Sequence, residues 1–301
     1  MSELAIKLGT FEISGEERVG ILLNEDVVVD AYDAYKSLLK TKQSLSDESA
    51  SKGSSQYFST MENLLKNEDA IKVAREVAGF AQETGNAFIR DLNDVKVKAP
   101  VKPSKLICLG RTFMGHLEVG GLDVPDEPHI FLKPTSSIVG PNDTVYLPKI
   151  HADKVTYGAE LTVVIGKRGK NIPESEAMNY VAGWTIMNDV TCRGMLYPKN
   201  KIHDTFGPVG PYILPKDQLE NPQAVSLNFN VNNEQKQNGN TKDIMWDIPY
   251  LIHNVSEVMT LEPGDLIALG DIGAPETLSE HDVMEAIIPE IGVLRNPVVK
   301  E

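Results

Sequence analysis

Two acidic side chains stand out by their type and setting. In Tyr157-Gly-Ala-Glu-Leu-Thr-Val-Val-Ile-Gly166, strand alternation puts Tyr157, Ala159, Leu161, Val163 and Ile165 on one wholly apolar face, and Gly158, Glu160, Thr162 and Val164 on the other. Glu160 is then a carboxylate on a strand buried on at least one side. Such a group must be paired or bound to a cation, because an unpaired buried charge is very costly. The other possibility is an edge-strand glutamate facing water. Asp189 closes Gly183-Trp-Thr-Ile-Met-Asn-Asp189, an apolar run that opens into a loop. Rigid scaffolds present functional groups at such strand ends, although Asn-Asp is also ordinary turn chemistry. Lys201 and Asp204 follow in Asn-Lys-Ile-His-Asp-Thr-Phe-Gly-Pro, where a surface ion pair of little energetic weight is the plain alternative.

Other chemistries find less support. His129, His151, His253 and His281 are scattered without i,i+4 pairing or a carboxylate at ligand spacing, which argues against zinc. His203, between Lys201 and Asp204, either lines a pocket or sits on a solvated loop. Cys108 and Cys192 lack CxxC spacing and read as buried thiols. Gly207-Pro-Val-Gly-Pro211 reads as a turn outside the strand-to-helix context of a phosphate loop, and no Gly-x-Ser-x-Gly nucleophile elbow is present.

The elements that must carry these residues fall into two groups. Short strands are expected at 5–8, 19–23 and 27–29, separated by Gly-Glu-Glu and Asn-Glu-Asp turn chemistry. The polar, serine-rich stretch 44–55 shows no periodicity and reads as a mobile connection. Ser59 with Glu62 forms a capping box, and Ile71, Ala74, Val77, Ala78 and Ala81 recur at helical spacing, predicting one helix over 60–84 that stops at Gly85. The two prolines of Val-Lys-Val-Lys-Ala-Pro-Val-Lys-Pro103 mark a boundary, giving a small N-terminal domain over 1–98 and a main domain over 104–301. Many strands of four to eight residues then follow, with helical segments chiefly at 174–180 and 248–259. The fold class is α+β, mainly β.

A chain of 301 residues, 41% apolar and 24% charged, is an ordinary globular composition, which excludes intrinsic disorder and collagen. The net charge of −14 opposes phosphate backbones and anionic lipid, so neither nucleic acid nor a membrane surface is an expected partner. An acidic small substrate stays open, since a local cation can reverse the sign inside one pocket. No stretch reaches the roughly 18 apolar residues of a membrane span, and the start, Met-Ser-Glu-Leu, lacks the features of a secretion signal, so the cytoplasm is expected.

Taken in order, these pieces resemble the fumarylacetoacetate hydrolase family. Its Gly-x-Asn-Tyr-x-x-His stretch corresponds to Gly110-Arg-Thr-Phe-Met-Gly-His116, and its Pro-x-x-Phe-x-Lys-Pro segment to Pro128-His-Ile-Phe-Leu-Lys-Pro134. The Tyr-Glu-x-Glu-Leu strand matches Tyr157 to Leu161, the Asn-Asp-Val-Ser-Ala-Arg-Asp loop matches Asn188-Asp-Val-Thr-Cys-Arg-Gly194, and Lys-Ser-Phe-Asp matches Lys201-Ile-His-Asp204. Asn240-Thr241, Leu261-Glu-Pro-Gly-Asp265 and Ile291-Gly-Val-Leu-Arg-Asn296 complete a colinear pattern from about Ser104 to Val298.

The resemblance implies a mixed β-sandwich roll, usually a homodimer, that holds Mg²⁺, or Mn²⁺ or Ca²⁺, and acts on a small 2-oxo or 2,4-dioxo acid through an enolate, by C–C cleavage, decarboxylation or isomerisation. Carried over residue by residue, Glu160 and Asp189 are the metal ligands, and hard carboxylate oxygens suit Mg²⁺. Lys201 holds a substrate carboxylate or oxyanion, and His116 moves a proton, its ordinary pKa near 6.5 suiting it to neutral pH. Arg111, Arg193, Asp204, Thr241 and Asp271 fall on the substrate side. The departures from the family pattern are Gly158 for the first glutamate, Val119 for the dyad glutamate, with Glu118 one residue short, Thr112 for asparagine, and Leu269-Gly-Asp271 for Thr-Gly-Thr. Only twelve positions separate Asp189 from Lys201, a short loop for the family. Asp271 replaces the missing ligand if its segment lies beside the Glu160 strand. The alternative to a working enzyme is a degenerate member that binds a small molecule.

Overall fold

The computed structural model describes residues 4–115, 123–273 and 276–301. Among these residues a mixed, twelve-stranded sheet dominates. Its path runs Ile89–Asp91, Val27–Asp30, Glu16–Leu22, Lys7–Ile13, Gly207–Pro215, Val181–Asn188, Ala159–Ile165, Leu266–Ala268, Leu106–Gly110 and His129–Lys133. A second sheet of five strands, Glu234–Asn240, Ser226–Val231, Val283–Ile288, Gly292–Lys300 and Val145–Leu147, packs across it.

The central strand Ala159–Ile165 is buried along its whole length because both faces are covered. Leu161, Val163 and Ile165 pack in one apolar cluster with Phe229, Met284 and Ile288 of the small sheet. Val164 joins another with Val73, Ala74 and Val77 of the helix Ala70–Glu83. The protein is thus a β-sandwich with helices on its outer side, mainly β, as the fold class required. The N-terminal strands are hydrogen-bonded into the same large sheet at Leu8↔Ile213, so the expected boundary at 95–103 is spanned by one sheet and one shared apolar cluster.

Three local expectations are corrected. The stretch 44–55 is no mobile connection but most of a helix, Asp47–Phe58, whose cap Ser46 accepts from the Ser49 amide. Ala50, Ser54 and Phe58 form its buried stripe, and the Ser54 hydroxyl donates to the Tyr32 carbonyl at 2.5 Å. A stripe of small residues carries too little hydrophobic contrast to register as a period. The single helix over 60–84 is two, Met61–Leu65 and Ala70–Glu83, and the first is capped by Thr60 rather than Ser59. Finally, Gly207-Pro-Val-Gly-Pro211 is no turn; it opens the strand Gly207–Pro215, where it pairs with Ile138–Val139 and, through a register shift, with Val181–Asn188.

Candidate functional site

Antiparallel pairing of Ala159–Ile165 with Val181–Asn188 sets Glu160 opposite Met187. Asp189, two residues on, therefore projects to the same side as Glu160. The Asp189 amide donates to the Gly158 carbonyl at 2.9 Å, and the Gly158 amide donates to Asn188 Oδ1 at 3.1 Å, which fixes the corner. On its other edge, the strand meets Leu266–Ala268 and the corner Leu269-Gly270-Asp271. The Leu269 amide donates to the Leu161 carbonyl, and the Gly270 amide donates to Glu160 Oε2 at 2.7 Å. Gly270 has φ +100°, and a Cβ there would lie 1.9 Å from Thr112 Oγ1, so only glycine turns this corner.

These corners bring Glu160, Asp189 and Asp271 together, with one carboxylate oxygen of each within 4.8 Å of the others. All three are buried, at 1%, 3% and 9% exposure. The edge-strand reading of Glu160 is thereby excluded. Two lysines balance part of this charge. Lys201 Nζ donates to Asp189 Oδ2 and lies 4.9 Å from the centre of the Phe131 ring. Lys133, with no exposed side chain, places its ammonium 3.0 Å from Asp189 Oδ1. Its three protons point elsewhere, to the carbonyls of Val190, Lys201 and Phe206 at 2.9, 2.8 and 2.9 Å. Asp189 Oδ1 therefore meets the Lys133 charge at 3.0 Å, but no described residue gives it a well-aligned hydrogen bond.

The acids respond unequally. Burial alone would raise the Asp189 pKa, but Lys133 and Lys201 overcome it and hold it at about 2. Glu160 is pushed well above the ordinary range by burial, then by the charges of Asp189 and Asp271, against a single backbone donor. Burial lowers Lys133, while for Lys201 the same effect is outweighed by Asp189 and its pKa rises. Among the described residues, both nearby ammonium groups pair with Asp189, and neither pairs with Glu160. With three buried carboxylates converging as an all-oxygen donor set, and the Glu160 carboxyl pushed up by burial and by its acidic neighbours, these residues fit a hard divalent ion. Cys108 is close enough for its thiol to be raised by burial and by Asp189, so it is no nucleophile.

The other expected site residues fall in varied settings. His116 lies outside the described residues. The partner of Lys201 is Asp189, and Asp204 is exposed, which corrects the Lys201–Asp204 ion pair. Thr241, placed on the substrate side, is fully buried with its hydroxyl spent: it donates to the Pro222 carbonyl at 2.7 Å and accepts from the Val225 amide at 2.8 Å. Arg193 is exposed and donates to Thr156 Oγ1 at 3.2 Å. Arg111 is exposed beyond the strand Leu106–Gly110, with φ +60°. Asp271 belongs to the carboxylate cluster rather than to a separate substrate surface. His253 does have a carboxylate at i,i+4, Glu257 at 3.8 Å, but on an exposed helix face. Lys133 lies within the Pro128–Pro134 segment, and its pairing with Asp189 is not among the sequence expectations. The signal was alternation: Phe131 and Lys133 share the inward face of His129–Lys133, and a lysine there requires an acid.

The family model described as fumarylacetoacetate (FAA) hydrolase C-terminal matches residues 105–299. A Xenopus laevis protein named mitochondrial oxaloacetate tautomerase fahd2 is 36% identical over 253 residues, 79% of this chain and 77% of that one. Oxaloacetate tautomerase YisK of Bacillus subtilis is 30% identical over 312 residues, 97% of this chain and 100% of that one. Among solved structures, maleylpyruvate hydrolase from Sphingobium sp. SYK-6 in complex with manganese(II) and pyruvate has a TM-score of 0.76 at 26% identity, covering 98% of this chain and 99% of that one.

Proposed function

The chain belongs to the fumarylacetoacetate hydrolase family, and from that premise we propose that it is a divalent-metal-dependent enzyme that interconverts the keto and enol forms of a small 2-oxo acid of the oxaloacetate type. The observation that carries this reading is the buried cluster of Glu160, Asp189 and Asp271 with the Lys201 ammonium on it. Two relatives, matched over 79% and 97% of this chain, are named oxaloacetate tautomerases, which favours tautomerisation over C–C hydrolysis.

Glu160 and Asp189 would hold Mg²⁺ or Mn²⁺. When bound, the ion would supply Lewis acidity toward the oxo oxygen and offset the charge of an enolate. Lys201, held charged by Asp189, binds the substrate carboxylate or the same oxygen. The phenyl ring of Phe131 covers one side of that ammonium and limits its hydration. Tautomerisation moves one proton between C3 and the C2 oxygen, and His116 is the group assigned to carry it. Hydrolysis needs in addition a base for water. Val119 stands where the family pattern has the glutamate partner of His116, so proton transfer without water activation is the chemistry better matched to this chain.

The test is a panel of 2-oxo and 2,4-dioxo acids, each with Mg²⁺ or Mn²⁺, followed by loss of enol absorbance. Oxaloacetate enol is expected to decay at a metal-dependent rate that chelation removes and that Asp189→Ala lowers by at least about 10³-fold, the worth of several kcal/mol of charge stabilisation. Turnover that survives Asp189→Ala unchanged would refute the assignment.

A further inference from the structure

We infer that Asp271 is a third ligand of the cation site, supplying from the neighbouring corner the carboxylate that position 158 cannot. The inference rests on the reading of Glu160 and Asp189 as ligands.

Gly158 and Glu160 lie on the same side of their strand, so any side chain at 158 would project into the cluster. That volume is already filled. A Cβ built on Gly158 would lie 2.5 Å from Asp271 Oδ2 and 2.7 Å from both Cβ and Cγ of Asp271. A side chain at 158 and the Asp271 carboxylate are therefore mutually exclusive occupants of one space. Glycine at 158 is not needed for backbone reasons, because φ there is not in the left-handed region. The residue is small because Asp271 is there.

Asp271 is also aimed and held. The Gly273 amide donates to Asp271 Oδ1 at 2.6 Å, which fixes the carboxylate against its own turn. Its oxygen reaches within 4.8 Å of ligand atoms of both Glu160 and Asp189, a span over which three oxygens can meet one ion. A substrate contact is the poorer role: a third carboxylate facing an acidic substrate would repel it, whereas on the cation it cancels charge.

The experiment measures Mn²⁺ binding to the cation-free full-length protein by the electron paramagnetic resonance of free Mn²⁺, alongside thermal denaturation with increasing Mn²⁺. The variants are Asp271→Asn, the double variant Asp271→Gly with Gly158→Glu, and Glu160→Gln. Asp271→Asn is expected to weaken Mn²⁺ at least tenfold with the circular dichroism spectrum unchanged. The double variant is expected to recover binding to within a few-fold, because it moves the carboxylate back across the same space. Should Asp271→Asn bind within twofold of the parent while Glu160→Gln loses binding, Asp271 is no ligand although the site stands. Should Glu160→Gln bind unchanged as well, the site itself is misplaced and the inference falls with it. If the double variant does not fold, Asp271→Asn decides alone.

Discussion

Asp265 and the Glu160–Asp189–Asp271 cluster sit at opposite ends of the strand Leu266–Ala268, and both bury carboxylates, yet they are built differently. Around Asp265 every oxygen has its own donors. Oδ1 accepts from Ser104 Oγ at 2.6 Å and from the Lys105 amide at 2.9 Å. Oδ2 accepts from the Glu262 amide at 2.8 Å and meets Lys105 Nζ at 2.6 Å. One acid, one cation and two amides tie the start of Leu106–Gly110 to the turn that opens Leu266–Ala268. In the cluster the balance is reversed. Among the described residues, Asp189 takes both nearby ammonium groups, one of which spends its protons on carbonyls, and Glu160 receives a single amide. Burial of an acid is thus a structural device where donors match lone pairs, and marks a ligand site where they do not.

The largest effect that can break this contrast is Asp265→Ala. It leaves Lys105, Ser104 and two amides without their acceptor, and should cost about 3 kcal/mol, a fall of roughly 5 °C in the melting temperature. Mn²⁺ affinity should stay within a few-fold of the parent, since Asp265 lies at the far end of the strand. Calorimetry with and without Mn²⁺ checks both halves. Loss of binding at unchanged stability would show that Asp265 works with the site and that donor matching does not separate the two regions.

A smaller effect follows from pH. Glu160 is raised well above its ordinary 4.5, so the cation-free folded state keeps a proton that the unfolded chain releases. Its contribution to stability is present below pH 4.5 and is lost as pH rises from there toward the raised folded value. Asp189 works in the opposite sense: held at about 2, it contributes stability above 3.8 that disappears only as pH falls through about 2. Between pH 4.5 and neutrality the cation-free protein should therefore lose melting temperature through Glu160, and Mn²⁺ should reverse the loss by taking the place of that proton. Glu160→Gln should flatten the slope. A cation-free melting temperature that rises across this window equally in the parent and in Glu160→Gln would refute the account.

Sequence patterning had access to part of this contrast. Glu160 and Asp189 were legible because a strand alternates and because acids in apolar company need partners, and Lys201 because it follows in a recognisable order. The partner of Lys201 was not legible, since choosing Asp189 over Asp204 depends on how the loop 190–206 folds over Lys133. The position of Asp271 was written in sequence only as a pair of departures, a glycine gained at 158 and an acid gained at 271. Their connection is a matter of two strands lying edge to edge, which local pattern does not encode. The helix Asp47–Phe58 escaped for a different reason: its packing relies on Ala50 and Ser54, and serine composition outweighed a faint period. The burial of Asp265 was also beyond reach, because its donors come from Ser104 and Lys105, about 160 residues away.

The smallest predicted effect tests the matched region alone. Ser104→Ala removes the hydroxyl that donates to Asp265 Oδ1 at 2.6 Å, but the same oxygen keeps the Lys105 amide and the carboxylate keeps its cation. The acid is left short of one donor rather than bare, so the cost should be about 1 kcal/mol, well below that of Asp265→Ala. The Ser104 hydroxyl also accepts from Lys105 Nζ at 2.8 Å, so its loss frees that ammonium to turn fully toward Asp265 Oδ2, which holds the penalty down. Combining the two changes separates these terms: if serine acts only through the aspartate, the double variant costs no more than Asp265→Ala itself. Additive losses would mean that Ser104 supports the strand by another route, and that the donor count around Asp265 overstates how closely this acid is matched.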